Sequence, residues 1–233
     1  MNSQGLFRQW WRIGGLLGIG FAVLFFASIS VQGDTPMRDD SVQEIRAYFQ
    51  DDGDMYMLGD YLGALAFLFF FLPYVVTLRW VLDSAGGRPI WPWMIVLGGV
   101  SMIALGGAGA GSFGTQAISA DNTEIDDSSV RLLTEMNLYF FTLFSLGMAV
   151  FAGSASLAIL KAGVLWRWLA VVGLLAAVLL IIGASWTIDG NEDGALAVPG
   201  FIGAPVTLLF VILTSVNMLL LKEEPVSRDR ATG

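Results

Sequence analysis

The sequence predicts an all-α polytopic membrane protein of six transmembrane helices, with a short interfacial helix in the first outer loop. Three observations carry that expectation. Hydrophobic residues make up 55% of the 233-residue chain and charged residues only 14%, against about 25% charged in a soluble domain. The charges are missing in long blocks, which leaves six stretches near the roughly 20 residues needed to cross a bilayer. Basic and acidic residues then fall on opposite sides of those stretches. A soluble enzyme is excluded. So is a nucleic-acid binder, because the formal net charge is −8 and a phosphate backbone needs a basic face.

The spans run approximately 13–32, 57–80, 90–117, 131–160, 166–187 and 197–221, followed by a cytoplasmic tail, 222–233, in a single domain. Span 1 follows Arg8 and Arg12 and ends near Ala27-Ser28-Ile29-Ser30, as a signal peptide would. Its uncharged core reaches from Ile13 to Gln32, longer than a signal peptide's apolar region of roughly 7–15 residues. It reads as a retained helix. In the loop that follows, Ser41 and Glu44 fit a capping box, and Val42, Ile45 and Phe49 recur at helical spacing. That pattern predicts a short amphipathic helix on the outer leaflet, broken at Asp51-Asp52-Gly53-Asp54.

Span 2 contains Pro73 and span 6 contains Pro205, each a kink site. The connections near 81–89 and 161–165 are short, so spans 2–3 and 4–5 form antiparallel hairpins. A shift of 75 residues superposes Asp60 on Glu135, Trp91-Pro92-Trp93 on Trp166-Arg167-Trp168, and Gly98 on Gly173. Two readings stay open. One is a duplicated hairpin related by an axis along the membrane normal; the other is convergent anchoring, since the interface attracts Trp.

Placing the N-terminus in the cytoplasm puts Arg8, Arg12, Arg79, Arg88, Lys161, Arg167, Lys222, Arg228 and Arg230 inside, and only Arg38, Arg46 and Arg131 outside. This satisfies the positive-inside rule. Only Asp83, Glu223, Glu224 and Asp229 among the acids lie inside. Of the tryptophans, all but Trp186 fall at the inner boundary. The expected location is the plasma (inner) membrane, with both termini cytoplasmic.

The chain has no Cys and no His. Disulfides, thiolate or imidazole metal sites, Ser-His triads and His-ligated haem are therefore absent. Lys161 and Lys222, the only lysines, sit at helix ends, which excludes a retinal Schiff base in mid-membrane. No enzyme activity and no cofactor is expected.

Asp60 and Glu135 are the acids set into apolar spans, roughly a turn inside the outer ends of helices 2 and 4. They read either as an outward-facing ion, proton or ligand site with Asn137, counter-charged by Arg131, or as one half of a structural pair with Arg131. Arg131 lies at i−4 from Glu135. Asp189, Asn191 and Asp193, with Gly194, match the first half of a calcium loop. Gly200 stands where its bidentate Glu belongs, so the choice is between a weak cation site and a solvated acidic turn. Span 3 carries Gly98, Gly99, Gly106, Gly107, Gly109, Gly111 and Gly114, and span 1 carries Gly14 and Gly18. Such small faces pack helices closely, within or between chains, or line a narrow pathway.

The helix after span 1, the long helix from Arg131 to Lys161, and the run Ser156–Ala170 through Lys161, Trp166, Arg167 and Trp168 together resemble one protein family. It comprises bacterial six-helix integral membrane proteins catalogued as a domain of unknown function. Trp166 stands where that family tends to have Pro. The resemblance implies topology and no activity. The expected role is a structural or accessory subunit in the lipid bilayer, packing with other membrane subunits or with itself through the glycine faces. The alternative is a small cation- or proton-coupled transporter or channel using the outward carboxylates.

Overall fold

The computed structural model describes residues 10–83, 90–122, 125–189 and 194–221. The apolar runs become helices α1 (Trp10–Gln32), α2 (Val42–Leu65), a π-helical turn (Ala66–Phe71), α3 (Leu72–Asp83), α4 (Ile90–Ile118), α5 (Asp127–Ala162), α6 (Trp168–Ala184), α7 (Trp186–Asp189) and α8 (Val198–Leu220), with no strand among the described residues. Five helical segments are long and apolar enough to cross a membrane, and α6, at 17 residues, is a shorter sixth. All six expected spans have a helix.

Local chemistry sets the boundaries. At the start of α2, Glu44 N–H donates to Ser41 Oγ (3.2 Å) and Ser41 N–H donates to Glu44 Oε2 (2.7 Å), closing the expected capping box. Asp126 Oδ1 accepts from Ser129 N–H (2.7 Å) to open α5. Gly163, at φ +65°, closes it with its N–H on the Ile159 carbonyl (3.0 Å). The π-helical turn lies just ahead of Pro73. That proline lacks an N–H and its ring would strike the carbonyl four residues back. The wider turn, in which Leu72 N–H reaches the Phe67 carbonyl, absorbs the mismatch.

The expected break at Asp51-Asp52-Gly53-Asp54 does not occur. α2 runs through it and continues into α3 as one rod of 42 residues. The reason is tertiary: Gly53 is buried against Ala117 of α4, while Asp51, Asp52 and Asp54 point outward. Poor helix formers are carried by packing rather than by propensity. Residues 42–50 are therefore the first turns of a long helix, with Ile45 and Phe49 fully covered.

That rod spans about 63 Å and the 36-residue α5 about 54 Å at 1.5 Å per residue, while the hydrocarbon layer is about 30 Å thick. The surplus lies at the acid-rich end, where 42–54 carries Glu44, Arg46, Asp51, Asp52 and Asp54. It has its own small core of Ile45, Phe49, Tyr56, Phe113 and Val130. The Phe49, Tyr56 and Phe113 rings meet edge to face, with centroids 5.3–5.8 Å apart.

The main core is a separate cluster centred on Phe71, Tyr74, Phe151 and Phe210. α5 is its central element, with 67% of its apolar window buried. α8 closes the bundle on α1, since Gly15 abuts the Ser215 carbonyl and Gly18 abuts Tyr74 and Ser215. Asn217, buried on α8, accepts from Trp166 N–H (2.9 Å) and pins the α5–α6 turn. The opposite, Trp-rich end holds Arg79 over the Trp93 ring (3.9 Å) and Lys161 near the Trp91 ring (5.3 Å). The two glycines matched by the 75-residue shift have unlike roles. Gly98 faces Phe151, outside its own hairpin, and Gly173 faces Ser156 and Ala152 within its own as well as Phe210 outside it.

Candidate functional site

The four residues expected to form an acid-rich polar site are not joined. Asp60 is half-buried on α2 and Glu135 is exposed on α5. Neither makes a hydrogen bond or ion pair with Arg131, Asn137 or the other, whereas Arg46 pairs with Asp127 and Arg79 with Asp83. Arg131 instead turns its guanidinium to the chain ahead of α2, donating to the carbonyls of Arg38 and of Asp40 (3.0 Å). Asn137 donates to the Gly109 carbonyl (2.8 Å) and so ties α5 to α4.

Arg131 has a counterpart that sequence reasoning missed. Arg46 of α2 donates to the Ile125 carbonyl (2.5 Å) and to Asp127 Oδ1 (3.1 Å), fastening the start of α5 to α2. The two arginines thus hold reciprocal loops at the acid-rich end. Nothing local in the sequence marks a bond across 79 positions. Of the second expected constellation, Asn191 and Asp193 lie outside the described residues, as does the side chain of Asp189. Among the described residues no group of three or more His, Cys, Asp or Glu is placed to hold a metal, and no charged side chain is buried.

Six of the seven glycines of α4 divide into two sets, while at Gly114 a Cβ would make ordinary contact with Met57 (3.7 Å). A Cβ on Gly98 would sit 2.5 Å from the Phe151 backbone nitrogen, and one on Gly99, Gly106 or Gly109 would press on Val75, Phe144 or Phe140 at 3.1–3.2 Å. These are close-approach positions within the chain. A Cβ on Gly107 or Gly111 would meet nothing within 4 Å beyond its own helix among the described residues. With Ala104, Ala108 and Thr115 they form an exposed stripe of small side chains along one face. The other exposed faces are built differently: α6 presents Val171, Leu175, Val178 and Ile181, and α1 presents Leu16, Val23 and Phe26. Large side chains mix readily with lipid tails, whereas a small-residue stripe admits the backbone of another helix.

A cavity of about 260 Å³ opens between α5, the ends of α6 and α8, and the chain after α1. Asn137 is on its wall, and Asp60, Glu135 and Arg131 are not. These features define an apolar helical bundle consistent with a membrane protein. No protein-family model, curated protein or solved structure matches the chain.

Proposed function

We propose that the protein is a multi-pass accessory subunit of a bacterial inner membrane, both termini cytoplasmic, that packs against a helix of another membrane subunit through the exposed face of α4. The observation that carries this reading is the small-residue stripe Ala104, Gly107, Ala108, Gly111 and Thr115, unclaimed at its two glycines by any other element among the described residues. A helix that needed only lipid around it has no use for glycine there, where each residue costs helix stability of about 1 kcal/mol relative to Ala. The orientation rests on the nine inner and three outer basic residues. Membership in the uncharacterised six-helix bacterial family belongs to the same proposal.

The transport reading needs carboxylates gathered in a pathway. Asp60 and Glu135 lie apart from the cavity, and no described charge is buried. Extraction from native membranes in mild detergent, followed by native mass spectrometry, tests the proposal. A complex of fixed stoichiometry with other membrane subunits is expected. Recovery as a lone monomer would overturn it.

A further inference from the structure

The cavity beside α5 has a lining that specifies its occupant. Among the described residues no charged side chain contributes to its wall, which includes Asn137, Leu138, Phe141, Thr142 and Ser145 of α5, Phe201 of α8, Trp186 and residues 35–37. Asn137 of the wall donates to the Gly109 carbonyl (2.8 Å), and Thr35 and Trp186 bring a further hydroxyl and an indole N–H; the two hydroxyls that α5 supplies are already used, since Thr142 donates to the Leu138 carbonyl (3.1 Å) and Ser145 to the Phe141 carbonyl (3.0 Å). With their hydrogens spent inside the helix, they offer only weak acceptors to whatever fills the space. Such a wall holds water poorly and suits an apolar group.

The position of the mouth narrows the class of ligand. Phe141 is 53% exposed and Phe201 60% exposed although both line the cavity. The opening is therefore flanked by side chains that face the surroundings of the bundle, not its interior. Val198 and Ile202 continue that exposed apolar surface beside it. At the other edge stand Trp186, which combines an apolar ring with an indole N–H donor, and Thr35, ahead of the polar segment that opens α2. The volume would hold about nine waters at about 30 Å³ each, and a comparable number of methylene groups.

We propose that this cavity is a lateral lipid site. It takes one acyl chain of a bilayer lipid through the gap between Phe141 and Phe201, with the uncharged glycerol ester against Trp186 and Thr35. Gly183 at the end of α6 and Gly200 near the start of α8 approach each other closely, and both line the cavity together with residues 137–145 of the longer α5. This site stands on membrane placement alone and does not need the α4 partner.

The test is photolabelling in phosphatidylethanolamine and phosphatidylglycerol nanodiscs that contain a phosphatidylcholine with a diazirine on its acyl chain. Adducts are mapped by peptide mass spectrometry. They are expected to concentrate on 137–145 and 197–201 relative to the lipid-facing residues 171–182. Ser145→Phe, which fills the cavity, is expected to lower them several-fold while leaving 171–182 unchanged. Phe201→Ala, at an exposed position that folding does not depend on, strips one wall of the mouth and is expected to lower them as well. Adducts spread evenly over all lipid-facing helices would overturn the proposal, as would unchanged cavity adducts in folded Ser145→Phe. Should Ser145→Phe fail to fold, unchanged adducts in Phe201→Ala would overturn it equally.

Discussion

Gly98, Gly99, Gly106 and Gly109 lie where α4 meets the π-helical turn, α3 or α5, whereas Gly107 and Gly111 on the same helix meet no other element among the described residues. Within lipid, the surroundings of a bundle are as apolar as its interior, so the hydrophobic effect does not sort residues between them. What sorts them is the need for close backbone approach. The first set is explained inside the chain by Phe151, Val75, Phe144 and Phe140. The second set has no such neighbour among the described residues, and the proposed partner would supply one. The exposed face of α6, with Val171, Leu175 and Val178 outward, is built instead of large apolar side chains, which suit lipid as a neighbour.

The strongest way to break this contrast is Gly98→Leu. A Cβ alone would stand 2.5 Å from the Phe151 nitrogen, and backbone cannot yield as a side chain tip can. Monodisperse folded protein is expected to vanish in detergent size-exclusion, and wild-type recovery would show that the packed face is not packed. Next in size is Phe113→Ala, which empties the centre of the acid-rich aromatic cluster and is expected to cost about 3–5 kcal/mol. Hydrogen exchange should show the loss confined to 42–56, with 72–83 still protected, because the two cores are separate clusters. Combining Gly107→Leu with Gly111→Leu is expected to raise stability by about 1–2 kcal/mol, because two exposed helix glycines are removed, read by thermal unfolding. A large loss there would mean that the stripe is covered within the chain.

The smallest effect is a pH dependence at the start of α5. Hydrogen bonds from Ser129, and then Ser128, hold the Asp126 carboxyl below its ordinary value. A carboxylate depressed in the folded state contributes stability above its unfolded pKa, and that contribution is lost as pH falls through the lower folded value. Protection of residues 127–131 is therefore expected to fall on acidification below about pH 3.9, and Asp126→Asn is expected to flatten that response. An unchanged profile in Asp126→Asn would assign the cap another partner.

Helix positions were legible in the sequence because twenty apolar residues in a row have one physical outcome in a membrane protein. The capping box was legible because Ser41 and Glu44 act locally. The uninterrupted α2 was not: Asp51, Asp52 and Gly53 have the composition of a break, and only the contact with Ala117 reverses it. Arg131 followed the same rule. Its i−4 spacing from Glu135 suggested a pair, while the carbonyls of Arg38 and Asp40 lie about 90 positions earlier and compete successfully. Glycine spacing showed that α4 was built for close approach without showing which glycines were already satisfied. A residue without a side chain leaves no sign of the face that it serves.

The decisive comparison places three proteins side by side in native mass spectrometry after mild extraction from native membranes: the wild type, the Gly107→Leu/Gly111→Leu variant, and a Leu175→Ala/Val178→Ala variant altered on the lipid face of α6. The expected result is a complex of fixed stoichiometry for the wild type and the α6 variant, with the α4 variant folded but free of its partner. A complex that survives in the α4 variant would contradict the assignment of that face.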